Sequence, residues 1–240
     1  IIVPVELNGL KLSFLLDTGV NTTVLLGLDS MDSLDLPNAE TVKLRGIGSD
    51  KYIEAIKSEG NQMRVGKASS TDLTVLLIHD QAINFSPRLG FPVHGIFGHD
   101  FFSNLVVEIN YKRKFLRLYP LNEEPDKVER YQPVPLVFHK NKPYVNTILK
   151  IEDSITRSTL LLDSGLADAL WLFEDGREIF IPEKNYEDFL GLGLLGDIFG
   201  KRSRSSGMKI LDLELKNVFT SYPDTSAFGG LKFFTERNGS

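Results

Sequence analysis

Short apolar runs rich in β-branched and aromatic residues alternate with polar, glycine-bearing turns through the first half of the chain, over residues 1–7, 10–16, 22–26, 41–44, 73–78, 105–109 and 115–119. Runs of that length and composition predict strands. Asn8-Gly9, between the first two, is a strong hairpin signal, because both central positions of a two-residue turn favour positive φ. Residues 120–135 are charged and contain prolines that cannot continue a ladder, and beyond them the strand pattern resumes. The pattern predicts an all-β fold in two lobes, residues 1–120 and 136–240, joined by a linker over 121–135.

The two halves superpose in sequence. Asp17 matches Asp163 at an offset of 146, Gly46-Ile47-Gly48 matches Gly191-Leu192-Gly193 at 145, Met63-Arg64-Val65 matches Met208-Lys209-Ile210 at 145, and His94-Gly95 matches Asn238-Gly239 at 144. A nearly constant offset over four separated landmarks implies an internal duplication and a pseudo-twofold molecule.

Composition narrows the function without naming it. The 240 residues carry 42% apolar and 25% charged residues and a net charge of −5, spread along the chain. No basic stripe suits nucleic acid, and no apolar run approaches the roughly 18 residues that span a bilayer. Cysteine is absent, which excludes disulfides and thiolate chemistry. The chain opens with Ile1-Ile2-Val3-Pro4, as a trimmed or mature fragment would, and an extracytoplasmic setting is the expectation.

The chemistry-bearing segments are Leu15-Leu16-Asp17-Thr18-Gly19 and Leu161-Leu162-Asp163-Ser164-Gly165. In each, an apolar strand leads to a carboxylate and a glycine lets the backbone turn sharply behind it. One such triplet arises by chance about 0.1 times in a chain this long, so the information lies in the pair. Thr18 and Ser164 supply hydroxyls able to bond across the twofold axis. Two aspartates brought together share one proton and activate a water without a metal or cofactor.

On these residues the chain resembles the aspartic proteases of the pepsin and retropepsin kind, which carry an apolar-apolar-Asp-(Thr/Ser)-Gly motif in each lobe or subunit. Residues 95–102, Gly-Ile-Phe-Gly-His-Asp-Phe-Phe, look like the family's apolar-apolar-Gly segment beneath the active loop. The resemblance is to bacterial single-chain, retropepsin-like enzymes, some of which carry a PDZ domain after the catalytic unit. It implies a bilobal acid-protease fold, an aspartic endopeptidase with Asp17 and Asp163 as catalytic dyad, dyad support from Thr18, Gly19, Ser164 and Gly165, no cofactor, and a peptide or protein substrate. It also implies hairpin flaps over residues 44–56 and 190–204, with Gly46, Gly48, Tyr52, Gly193 and Gly196 at the substrate, two flaps being retropepsin-like and one pepsin-like.

The pattern has departures. The third residue after each aspartate is Val20 or Leu166, where a hydroxyl or alanine is usual. At the same offset, the equivalent of Gly98 falls near position 242, so the second lobe reads as truncated and a homodimer that completes it is an alternative. A peptide-binding module that keeps the fold without turnover is the rival reading. His79, His94, His99 and His139 are spaced as satisfied histidines rather than ligands, the glycines of 191–196 lack the context of a phosphate loop, Trp171 reads as core, and Lys201-Arg202-Ser203-Arg204 reads as a solvated loop tip bordering the cleft.

Overall fold

A computed structural model describes residues 1–26, 34–44, 52–79, 83–174, 178–193, 196–225 and 239. It is dominated by strands. β1 (Ile2–Leu7) and β2 (Leu10–Leu16) form the hairpin that Asn8-Gly9 predicts, with φ of 46° and 86° at the two turn residues. Val3, Val5 and Leu7 alternate with exposed or half-buried neighbours and face Leu12, Phe14 and Leu16 in one core.

β3 (Thr23–Leu26), β4 (Glu40–Leu44), β5 (Ile53–Val65), β6 (Ala68–Ile78) and β7 (Gly95–Phe97) complete this first sheet in the order β1-β2-β7-β3-β6-β5-β4. A further β1–β5 pairing, Glu6 to Arg64 and Leu7 to Met63, closes it into a barrel. Among the described residues, closure leaves only β4 at an edge and encloses Phe14, Leu16, Leu25, Met63, Val75 and Phe97. Short helices α1 (Ser86–Leu89) and α2 (His99–Phe102) flank β7. The separate hairpin β8 (Leu105–Asn110) and β9 (Phe115–Pro120) lays Leu105, Ile109, Leu116 and Leu118 against the same core. Residues 121–136 follow, nearly all exposed, with one 3-10 turn at Val128–Arg130.

The second sheet repeats the plan. It contains β10 (Val137–His139), β11 (Lys142–Ile151), β12 (Ser154–Leu161), β13 (Leu170–Trp171), β14 (Tyr186–Gly193), β15 (Gly196–Ile210) and β16 (Leu213–Pro223). The antiparallel pairs β11–β12, β11–β15, β14–β15 and β15–β16 and the parallel pair β13–β16 match β1–β2, β1–β5, β4–β5, β5–β6 and β3–β6 in sense. Gly239 bridges Leu160 in parallel and Leu172 in antiparallel sense, just as Gly95 lies between Phe14 and Leu25. The duplication seen as a numerical offset is thus a duplication of topology, and β12, Gly239 and β13 take the places of β2, β7 and β3.

The sequence predicts the long strands β5 and β6 only in part, β6 over 73–78 and the start of β5 as the end of a flap over 44–56. Register shifts between Ser58, Asn61 and Met63 interrupt the alternation, and Gly60, at φ 79°, reads in sequence as a turn. Asn61, fully buried, donates from Nδ2 to the carbonyls of Ser58 and Leu73 at 3.0 and 3.1 Å and accepts at Oδ1 from Asn8 at 2.8 Å. That amide replaces the ladder bonds the irregularity removes. Asn61→Leu leaves these groups unpaired, and urea unfolding is expected to show a loss of about 2 kcal/mol.

Candidate active site

β2 and β12 end at the start of the two Asp-hydroxyl-Gly loops. Asp17 N donates to the Phe97 carbonyl at 3.1 Å, so β7 holds the first loop directly under its aspartate. The two loops then meet through side chains. Thr18 N donates to Ser164 Oγ at 3.1 Å and Ser164 N to Thr18 Oγ1 at 2.9 Å. Thr18 Oγ1 donates to the Leu162 carbonyl at 2.6 Å, and Ser164 Oγ to the Leu16 carbonyl at 3.1 Å. Each hydroxyl therefore accepts from the opposite loop and donates to the strand behind it.

This lock leaves the carboxylates facing each other. Asp17 Oδ1 accepts from Gly19 N at 2.7 Å, and Asp163 Oδ1 from Gly165 N at 2.9 Å. A Cβ on Gly19 would sit 2.8 Å from Asp163 Oδ2 and 3.1 Å from Asp17 Oδ1, and one on Gly165 would lie 2.6 Å from Asp17 Cγ. Each glycine closes over the other loop's aspartate, and any side chain there would displace a carboxylate. Burial, then the charge of Asp163, raises the Asp17 pKa to about 7, while the Gly19 amide and Lys142 act in the opposite direction. The pair can hold one proton and present one anion at the same place.

Around the dyad, Val20 and Leu166 occupy matching positions. Val20 packs against the cluster of Val24, Leu26, Ala55, Ile78, Ile83 and Ile96, which Val42, Leu44 and Ile53 of β4–β5 also cover, and Leu166 against the cluster of Trp171, Phe173, Leu190 and Ile198. Bulk at these two positions is used to seat the loops. Gly193 and Gly196 pair at the far end of β14–β15, and Tyr52, 64% exposed, precedes β5. Gly46 and Gly48 lie outside the described residues.

Sequence alone did not single out Asp100. Its Oδ2 accepts from Thr23 N at 2.8 Å and its Oδ1 from Thr23 Oγ1 at 3.1 Å, while His99 N and Asp100 N donate to the carbonyls of Val20 and Asn21, both at 3.0 Å. Residues 17–23 are thereby fastened to the segment after Gly98. Burial raises the Asp100 pKa despite bonds that favour its anion. The basic run 201–204 is corrected: it lies within β15, and Arg202 is 11% exposed in an ion pair with Asp168, a partner 34 residues away that the linear sequence does not indicate. Trp171 is buried, with its Nε1 donating to Asp168 at 2.7 Å. His94 Nδ1 accepts from Ser13 N at 3.0 Å, and among the described residues no group of three or more histidines and acids could hold a metal.

Residues 3–101, from β1 into α2, match the model of an aspartyl protease family, which supports the retropepsin-like resemblance. No curated protein matches the chain.

Two outcomes follow from the lock and the buried pair. Thr18→Val and Ser164→Ala each remove one donor and one acceptor, so each is expected to cost about 1–2 kcal/mol. Because both sets of bonds tie together the same two loops, the double mutant should deviate from additivity by at least about 0.5 kcal/mol in a denaturant-melt cycle. The raised Asp17 means that the folded chain keeps a proton the unfolded chain releases, so stability falls as pH rises from about 4 to about 7. Asp17→Asn removes that cost, and its melting temperature should exceed the parent's by several degrees above pH 7 and match it below pH 4.

Proposed function

We propose that the chain is an aspartic endopeptidase in which Asp17 and Asp163 activate a water against the carbonyl of an extended peptide. The observation that carries this reading is the reciprocal lock of Thr18 and Ser164, which holds two half-buried carboxylates together, with the Asp17 pKa raised to about 7 by burial and by Asp163. The anionic member takes a proton from water as its oxygen bonds to the peptide carbon, and the protonated member donates to the carbonyl oxygen. The tetrahedral intermediate collapses as the protonated member donates to the amide nitrogen, the C–N bond breaks and one hydroxyl of the gem-diol returns its proton to the other carboxylate, which leaves the pair with a single proton.

The substrate runs between the hairpins β4–β5 and β14–β15 in this reading, with Tyr52, Gly193 and Gly196 along its path. The fixed position of both carboxylates supplies the orientation that makes water an effective nucleophile.

A peptide-library digestion tests the proposal. Asp17→Asn and Asp163→Asn should each lower kcat/KM by at least about 1,000-fold, the scale of general acid–base catalysis, and cleavage retained in either mutant overturns the assignment. Activity should decline as pH rises through about 7, where Asp17 loses its proton. Tight binding of a peptide with a tetrahedral hydroxyl at the scissile position, without cleavage of the parent peptide, would instead support a binding module on this fold.

A further inference from the structure

The loop that carries Asp17 and the loop that carries Asp163 each have a carboxylate anchor. The first is held by Asp100, which comes from α2 beyond β7. The second contains its own anchor, Asp168, five residues past Asp163. Asp168 Oδ1 accepts from Arg202 Nη1 at 2.7 Å, and its Oδ2 accepts from Trp171 Nε1 at 2.7 Å and Ser221 Oγ at 2.8 Å. The side chains of Asp168 and Arg202 are 10% and 11% exposed.

Arg202 belongs to β15 and reaches across its hairpin. Its Nε lies 2.7 Å from Asp188 Oδ2 on β14, its Nη2 donates to the Phe189 carbonyl at 3.3 Å, and its guanidinium stands 5.2 Å over the Phe219 ring of β16. Ala167 and Ala169, on either side of Asp168, are exposed. Beyond the Ser164 lock, Leu166 and Asp168 tie this loop to its own lobe, and both reach residues of β14–β15. A buried ion pair gives little net stability over an apolar substitute, so this arrangement is better explained by the geometry it fixes.

We propose that Arg202 is a positioning residue which, through Asp168, couples the hairpin β14–β15 to the loop that carries Asp163. Displacement of the hairpin then moves one member of the carboxylate pair, while Asp17 stays fixed by β7 and α2. This rests on the reading of Asp17 and Asp163 as a working pair. The charged groups near Arg202 are Asp168, Asp188, Lys201, Glu187 and Arg204, and those facing Asp17 are Asp163, Lys142 and the amino group of Ile1.

Carboxyl 13C NMR titration of Asp17 in the intact chain tests the coupling without requiring turnover. Arg202→Met should move the Asp17 midpoint toward the ordinary carboxylate range by about half a pH unit, as expected when a neighbouring carboxylate retreats. Arg202→Lys should restore most of the shift. Trp171→Phe, which removes one donor to Asp168 and keeps a ring in the core, should move the midpoint in the same direction and decides the matter if Arg202→Met does not fold. Folded variants whose Asp17 titrates as in the parent, whatever their loss of stability, overturn the proposal. A parent chain in which Asp17 titrates in the ordinary range would instead overturn the dyad reading itself.

Discussion

Two like charges cannot be buried side by side unless something other than their own interaction holds them there. In this chain that something is four hydrogen bonds between Thr18 and Ser164 and the backbones of the opposing loops. Their reciprocity explains why the carboxylates meet as equals on a pseudo-twofold axis. It also explains the glycines that follow, since the space above each aspartate is taken by the other loop. The energy that opposes the arrangement is visible in Asp17, whose proton is retained to about pH 7. Neutralisation of one member is the cheap response of a crowded pair, and it is also the ionisation state that acid–base chemistry on water requires.

The barrels serve this geometry. β2 and β12 are pinned on one side by β1 and β11 and on the other by β7 and Gly239, so the loops leave rigid edges at matched heights. Duplication guarantees the match, because the same pairing senses built twice give the same exit for each aspartate. It does not guarantee identical support. The first loop is fastened to a helix by a buried carboxylate, the second to a hairpin by a buried ion pair, and only the second fastening crosses into an element that frames the proposed substrate path.

Local signals were readable in the sequence, and non-local ones were not. The Asn8-Gly9 hairpin, the strands at 1–7 and 10–16 and the paired Asp-hydroxyl-Gly loops rest on residues adjacent in the chain or related by a constant offset. β5 escaped because Ser58, Gly60 and Asn61 interrupt its alternation, and only the structure shows the Asn61 amide standing in for lost ladder bonds. Arg202 was read as solvated because it sits in a basic run, whereas its burial depends on Asp168 and Asp188, which fold back from other elements. Val20 and Leu166 looked like departures that weaken a site. Their packing against an apolar cluster of each lobe gives them a use that no motif encodes.

That last pair shows how seating and electrostatics divide the work. Val20 and Leu166 each pack against an apolar cluster of their own lobe, so hydrophobic burial seats both loops. Burial of that kind is non-directional and fixes distance better than orientation. Orientation needs directional bonds: Asp100 takes donors from Thr23 of β3 and from Phe101 of its own helix, and Asp168 takes them from Trp171 of β13, from β15 and from β16. A carboxylate that needs three elements to satisfy it reports on the placement of all three. The orientation of the second loop thus depends on the placement of β13, β15 and β16 together.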